Sequence, residues 1–316
     1  MKILFMGTPD FASGVLESII QAGHEIVLVV TQEDKPKGRG REVAFTPVKE
    51  TALKYGLEVF QPHRIKDDEA VAKLKEYEAD VFVVVAYGQI LSKEILDMPK
   101  EICVNVHASL LPKYRGAAPI QWAVIDGEKY TGITIQRMAE GLDTGDIIET
   151  VEYELESDET GGSLFDRLME LAKELIVSTL SKIENGEVTY TKQEEEKSTY
   201  AKKLDKKLGN IDFSIEAERI ERLIRGLNPW PSAYTSLNGK NIKFWRAEVI
   251  DKEFEGEYGE IVFISEDEMY IKTGKGTLSI VELQLEGKKR MYIQDFLRGN
   301  KLECGTVLGK QEVAKC

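Results

Sequence analysis

The sequence predicts an α/β domain built on a mainly parallel sheet, followed by a smaller domain of short strands forming a small barrel. Three observations carry that prediction. Over residues 2–136 short apolar runs alternate with amphipathic helical stretches, the pattern of parallel strands covered by helices on both faces. The longest uncharged apolar run, residues 81–86, is strand-sized and has the unbroken hydrophobicity of a strand buried on both faces. Beyond Gly209 the pattern changes to short β-like runs bounded by Gly and Asn, as in a small barrel.

Taken in order, residues 2–6 read as a strand and 10–22 as a helix whose Phe11, Val15, Leu16, Ile19 and Ile20 share one face. A second apolar run at 26–30 precedes a polar loop over 31–45. A helix over 48–55, a strand over 57–60 and a helix over 67–77 lead to the strand at 81–86. A strand at 102–107, a helix near 120–125 and a strand at 132–136 follow. Residues 161–186 make a long amphipathic helix that closes the first domain, with Leu164, Leu168, Leu171, Leu175, Ile176 and Leu180 at helical spacing. Lys, Glu, Ser and Thr dominate 189–208, a linker composition. A helix over 215–227 then precedes strands at 240–246, 259–264, 269–273 and 277–285. The expected division is a first domain over 1–189, a linker over 190–208 and a C-terminal domain over 209–316.

A chain of 316 residues, 42% of them hydrophobic, is long enough for two cored domains. No run approaches the 18 apolar residues of a membrane span, and Met1-Lys2 enters a strand with no signal-peptide architecture. The expectation is therefore a cytoplasmic protein without a membrane partner. Cys103, Cys304 and Cys316 form no CxxC or disulfide framework, which fits free thiols in a reducing compartment. His24, His63 and His107 are too dispersed for a metal cluster, so no metal is expected. A net charge of −13 argues against a general nucleic-acid coat. The charge is uneven, however. Residues 209–316 carry 16 Lys and Arg against 18 Asp and Glu, while residues 1–208 carry 26 against 37. Basic residues concentrate at 35–41 and 202–207, where a polyanion is expected to touch. Met6-Gly-Thr-Pro-Asp10 follows the first strand, where a dinucleotide fold places three glycines. Only Gly7 is present, which argues against bound NAD and leaves Gly7 to make the turn and Asp10 to cap the helix.

The chemistry concentrates in Cys103-Val-Asn-Val-His-Ala-Ser-Leu-Leu-Pro112. Asn105 and His107 lie two positions apart on an apolar strand, so both project from one face near its C-terminal end, where ligands of parallel sheets settle. A lone strand histidine also reads as a satisfied core residue; the pairing with Asn105 and the position at the ligand edge favour chemistry. Gly141-Leu-Asp143-Thr-Gly-Asp146 is a turn-rich segment able to return a carboxylate to the same place, although Asp143 alone reads as a turn residue. An amide and an imidazolium aimed at one oxygen suit an acyl-transfer oxyanion.

Asn105, His107 and Asp143, with Ser109-Leu110-Leu111-Pro112 as the adjoining signature, resemble the site of the 10-formyltetrahydrofolate-dependent formyltransferases. The resemblance runs nearly the whole chain and is closest to the branch acting on methionyl-tRNA. It implies a Rossmann-like catalytic domain and an OB-like C-terminal, tRNA-binding barrel. It implies 10-formyltetrahydrofolate as a consumed co-substrate and methionyl-initiator-tRNA as acceptor and partner, for a chain expected to be a monomer. By the same resemblance Asn105 and His107 meet the oxyanion, while Asp143 orients and relays protons. Gly88, Ile90 and Leu91 in the turn after strand 81–86, together with Ser109, Leu110, Leu111, Pro112 and the 139–143 loop, line the folate pocket. The Lys35-Pro-Lys37-Gly-Arg39-Gly-Arg41 loop reads by default as solvated; the resemblance makes it a loop inserting at the tRNA acceptor stem, with Lys35, Lys37, Arg39 and Arg41 as contacts. Lys202, Lys203, Lys206 and Lys207 form a second patch suited to backbone phosphates. Asn228-Pro-Trp-Pro231 resembles a signature of the tRNA-specific branch and reads as a rigid, packed corner. Sugar-amine formyltransferases share the site without this loop and corner in the same form. The alternative of another class, an RNA-binding module without catalysis, is disfavoured by the intact Asn/His/Asp set.

Overall fold

The structure, a computed structural model, describes residues 1–37 and 42–309. In chain order the main elements are β1 (Lys2–Gly7), α1 (Asp10–Gln21), β2 (Glu25–Val30), α2 (Pro47–Lys54), β3 (Val59–Phe60), α3 (Asp68–Lys75), β4 (Val81–Val85), β5 (Ile102–His107), α4 (Pro119–Asp126), β6 (Tyr130–Arg137), β7 (Ile147–Glu154) and α5 (Gly161–Glu184). They continue with α6 (Ala217–Gly226), β8 (Ala233–Leu237), β9 (Lys240–Ile250), β10 (Ile261–Ile264), β11 (Met269–Lys272), β12 (Thr277–Leu285), β13 (Met291–Tyr292) and α7 (Ile293–Gly299). Two compact units result. One holds Met1–Pro119, Tyr130–Glu154 and Phe165–Ala201; the other holds Ile120–Lys129, Leu155–Leu164 and the chain from Lys202 onward.

The first unit carries a seven-stranded sheet in the order β7-β6-β5-β4-β1-β2-β3. Pairing is parallel from β5 through β3 and antiparallel for β6 and β7. The mainly parallel sheet of a Rossmann-like domain is thus present. Every residue of β4, Val-Phe-Val-Val-Val, is buried, as strands covered on both faces require. Leu4, Met6, Leu28, Val30, Phe82 and Val84 form a core cluster that also takes in Tyr87, Leu91 and Cys103.

Three local expectations are corrected. The polar loop over 31–45 contains a short antiparallel pairing of Lys35–Lys37 with Glu42–Ala44. Asp10 does not cap α1: Pro9 occupies the cap without a side-chain hydrogen bond, and Asp10 is the first helical residue, where its carboxylate complements the helix dipole. Strands β7 and β8 are absent from the expected set; β7 is an edge strand with no buried position, Glu152 and Glu154 being exposed and Val151 and Tyr153 only half-buried, so it lacks the apolar run that marks the inner strands.

The second unit holds an antiparallel sheet in the order β8-β9-β12-β11-β10, with β13 paired to β12. Its core joins Phe244, Ile261, Ile271, Ile280 and Leu283 to Ile220 and Ile224 of α6 and Phe296 of α7. Residues 306–309 connect the two sheet edges. The amide of Ile261 donates to Thr306 O at 2.8 Å and that of Leu308 to Gly259 O at 2.9 Å, while the amide of Gly309 donates to Ser236 O at 2.9 Å. The sheet therefore curls until its edge strands share one segment, the barrel-like solution to exposed edges. Among the described residues no helix is long and apolar enough to cross a membrane.

Candidate active site

Strand β5 is buried at every position, including Asn105 and His107, which are 8% and 6% exposed. A polar side chain at such depth needs partners. Part of the answer lies in β6, where Gln136 stands opposite Asn105 and Thr134 opposite His107. Directly opposed residues of antiparallel strands share a face, so four polar side chains are grouped there.

The turn after β5 is built on one of them. Thr134 Oγ1 donates to Ser109 O at 2.7 Å and accepts the amide of Leu111 at 3.1 Å, while Ser109 Oγ donates to Lys113 O at 2.6 Å. The Ser109-Leu110-Leu111-Pro112 turn is thereby pinned to the residue facing His107. It delivers Tyr114, at φ +57°, so that its carbonyl oxygen lies 2.9 Å from His107 Nε2. A carbonyl only accepts, so Nε2 carries the hydrogen. The other ring nitrogen, Nδ1, faces Asp143 Oδ2 at 3.7 Å.

Asp143 is returned to β5 by a tight loop. The amide of Arg137 donates to Asp146 O at 2.9 Å, and a Cβ on Gly145 would sit 1.6 Å from Arg137 O, so only glycine lets the loop close. Asp143 itself takes φ +51°. Its Oδ1 accepts from Asn105 Nδ2 at 3.3 Å and Gln136 Nε2 at 3.1 Å, and its Oδ2 accepts the Gly116 amide at 2.8 Å. Gly116 holds φ +110°, and a Cβ there would meet Ala201 O at 2.8 Å. Asn105, His107 and Asp143 thus meet in one network at the C-terminal end of β5. Gln136 was missed; Thr134 and Gln136 repeat the two-residue polar spacing of Asn105 and His107, and that was the available signal.

The remaining candidates fall in several places. Gly88 and Ile90 are exposed, Ile90 by 82%, whereas Leu91 is 4% exposed in the core cluster. Ser109 and Leu111 are buried, and Leu110 and Pro112 half-buried. Leu142 on the 139–143 loop is exposed. Both loops root in the cluster shared by Tyr87, Leu91, Cys103 and Met138, so Ile90 and Leu142 are apolar tips on a common base. Beside it lies a cleft of about 480 Å³ bounded by Leu96, Cys103, Arg137, Met138 and Glu140, which shares Ala139 and Glu140 with the 139–143 loop but is lined by none of Gly88, Ile90, Leu91 or Ser109–Pro112. Burial pushes the Tyr87 phenol and the Cys103 thiol well above their ordinary ranges, so both stay neutral.

Of the basic candidates, Lys35 is exposed on the short hairpin, and Lys37 lies in the same strand. Arg39 and Arg41 lie outside the described residues. Lys202, Lys203, Lys206 and Lys207 are exposed on an anchored segment: Ala201 and Leu204 are buried, Trp122 Nε1 donates to Lys202 O at 2.8 Å, and Asp205 caps a 3-10 turn over Lys206–Gly209. The Asn228-Pro-Trp-Pro corner departs from expectation. Trp230 is 57% exposed, so the corner holds an indole outward instead of packing it.

Comparison with known proteins identifies the family. Residues 1–180 match the formyl transferase family, and residues 203–301 match the formyl transferase C-terminal domain. The methionyl-tRNA formyltransferase of Agathobacter rectalis is 58% identical over 306 residues, covering 97% of this chain and 99% of its own. The chain belongs to the methionyl-tRNA formyltransferase family. Another member, from Lachnospira eligens, is 52% identical and covers 98% of this chain and 100% of its own. Solved structures share the fold at lower identity. WlaRD, a sugar 3N-formyl transferase, is 20% identical with a TM-score of 0.67, covering 92% of this chain and 99% of that one. HypX from Aquifex aeolicus, solved with tetrahydrofolic acid, is 17% identical with a TM-score of 0.62, covering 97% of this chain and 50% of that one.

Proposed function

We propose that this chain transfers the formyl group of 10-formyltetrahydrofolate to the α-amino group of methionyl-initiator-tRNA, giving N-formylmethionyl-tRNA for translation initiation. The observation that carries the reading is identity of 52–58% to methionyl-tRNA formyltransferases along nearly the whole chain, through both domains. The polar network at the end of β5 supports it chemically.

The reaction joins the amine nitrogen to the formyl carbon, breaks the bond from that carbon to folate N10, and moves one proton from the amine to N10. As the amine adds, the carbonyl oxygen becomes an oxyanion. Asn105 Nδ2 and His107 Nδ1 donate to it; Tyr114 already occupies Nε2, which leaves Nδ1 for this task. Asp143 orients the imidazole and relays the proton from the ammonium, directly or through water. Gly88, Ile90, Leu91, Ser109, Leu110, Leu111, Pro112 and the 139–143 loop form the folate wall. Lys35, Lys37, Arg39 and Arg41 meet the acceptor stem, and Lys202, Lys203, Lys206 and Lys207 meet backbone phosphates. In this reading residues 1–189 catalyse, 190–208 link and 209–316 bind tRNA, in a cytoplasmic monomer that consumes its folate donor and uses no metal.

The test is transfer by purified protein from 10-formyltetrahydrofolate to charged initiator and elongator methionyl-tRNAs, with an amino-sugar nucleotide as a third acceptor. Formylation of the initiator species in preference to both others is expected. Transfer to the sugar amine alone would overturn the reading.

A further inference from the structure

Residues 190–201 have a linker's composition, yet they pack as part of the first unit. Thr191 exchanges both backbone hydrogen bonds with Ile147 at 2.8 Å. Further on, Thr199 accepts the Tyr114 amide on its Oγ1 at 2.8 Å and the Arg115 amide on its carbonyl at 2.9 Å, and Ala201 O accepts the Ala117 amide at 2.9 Å. The segment is a strap along the two loops that complete the polar network.

Gln193 lies at the centre of that strap. Arg115, fully buried, donates to Gln193 Oε1 from Nε at 3.1 Å and from Nη2 at 2.9 Å, and its Nη1 pairs with Glu195 at 2.9 Å. Gln193 Nε2 lies 2.8 Å from Asp143 O and 2.7 Å from Gly145 O, with Gln136 Oε1 at 3.4 Å. The amide orientation is fixed by its neighbours, because a guanidinium only donates and backbone carbonyls only accept. The carbonyl end therefore serves Arg115 and the NH₂ end clamps the loop that holds Asp143 at φ +51°. Non-glycine backbone in that region persists only where its surroundings enforce it.

We propose that Gln193 is a positioning residue: backed by buried Arg115, it fixes the backbone of Asp143 and Gly145 and so aims the Asp143 carboxylate at Asn105 and His107. The proposal rests on the reading of Asp143 as a catalytic group. Misplacing such a group by about 1 Å costs up to ~10²-fold in rate.

Gln193→Glu separates positioning from mere packing. The carboxylate keeps an acceptor for Arg115 but cannot donate to the two carbonyls. The expected result is a melting temperature near wild type with kcat lowered roughly tenfold or more, and KM for methionyl-tRNA within about twofold. Gln193→Ala should show a comparable kcat loss. In an Asp143→Asn background, Gln193→Glu should cost little further, because the group it aims is already disabled. Wild-type kcat in Gln193→Glu, or a full additional loss in the double variant, overturns the proposal. Near-wild-type kcat in Asp143→Asn alone would instead remove the reading on which it rests. Carbonyl ¹³C shifts of Asp143 and Gly145 supply a readout independent of turnover; shifts unchanged in Gln193→Glu would also overturn it.

Discussion

The imidazole of His107 is fixed by a residue only seven positions along the chain: the carbonyl oxygen of Tyr114 accepts from Nε2 at 2.9 Å. That contact leaves Nδ1 as the ring nitrogen facing Asp143, and it is supported by the Ser109–Pro112 turn, which is tied to Thr134 on the neighbouring strand. The signature tetrapeptide thus shapes the histidine's surroundings through backbone geometry.

Asn105→Ala and His107→Ala should each lower kcat by at least ~10²-fold, the usual cost of removing one oxyanion donor. Asp143→Asn should be similarly impaired, since an amide keeps the shape but loses the charge facing Nδ1. Single-turnover rates paired with circular-dichroism melts decide the matter. A folded variant with near-wild-type turnover would take that residue out of the mechanism.

Much of this was legible in the residues. Strand β5 matches its predicted span, because its apolar run and two polar positions have one reading. The partners of the trio were not legible. Gln136 becomes relevant only through the β5–β6 register, and Gln193 only because a polar segment packs along the sheet domain. The spacing of Thr134 and Gln136 marks a polar strand face, but which strand that face adjoins leaves no local signal. Trp230 misled for the opposite reason: flanking prolines stiffen a corner but do not determine which way its indole points.

A stability prediction follows from Asp80 at the start of β4. Its carboxylate accepts the Lys2 amide at 2.7 Å, while the Asp80 amide donates to Lys2 O at 2.8 Å. The Lys2 hydrogen bond, aided by Lys100, holds the carboxyl below its ordinary value of 3.8. A depressed carboxyl contributes stability that is present above the unfolded value and lost as pH falls through the folded one. Asp80→Asn should therefore melt roughly 1–3 °C below wild type at pH 7, the response of a large domain to under about 1 kcal/mol. The gap should narrow as pH falls below about 3.8 and vanish only once pH has passed the depressed folded value. A gap that persists at low pH would assign the effect to shape instead of charge.

Arg39→Ala should reduce kcat/KM for methionyl-tRNA while leaving folate affinity nearly unchanged by calorimetry. Arginine is suited to the acceptor stem because its planar donors engage phosphates bidentately and stack on bases. Equal loss on both measures would mean that the 35–41 loop supports the folate pocket instead.

The four lysines of residues 202–207 should act without regard to tRNA identity. All four side chains are exposed, while Ala201 and Leu204 between and beside them are buried, so the ammonium groups project from an anchored segment. The C-terminal part is nearly balanced in charge, with 16 basic against 18 acidic residues over 209–316, so the lysines should matter as much as the barrel surface. Replacing Lys202, Lys203, Lys206 and Lys207 by Ser should lower affinity for initiator and elongator tRNAs alike. It should also flatten the salt dependence, because each lost phosphate contact removes roughly 0.7–0.9 from the slope of log K against log salt. Titrations at several salt concentrations measure both effects. Unchanged slope and affinity would exclude this segment from the tRNA path and leave recognition to the 35–41 loop and the catalytic domain.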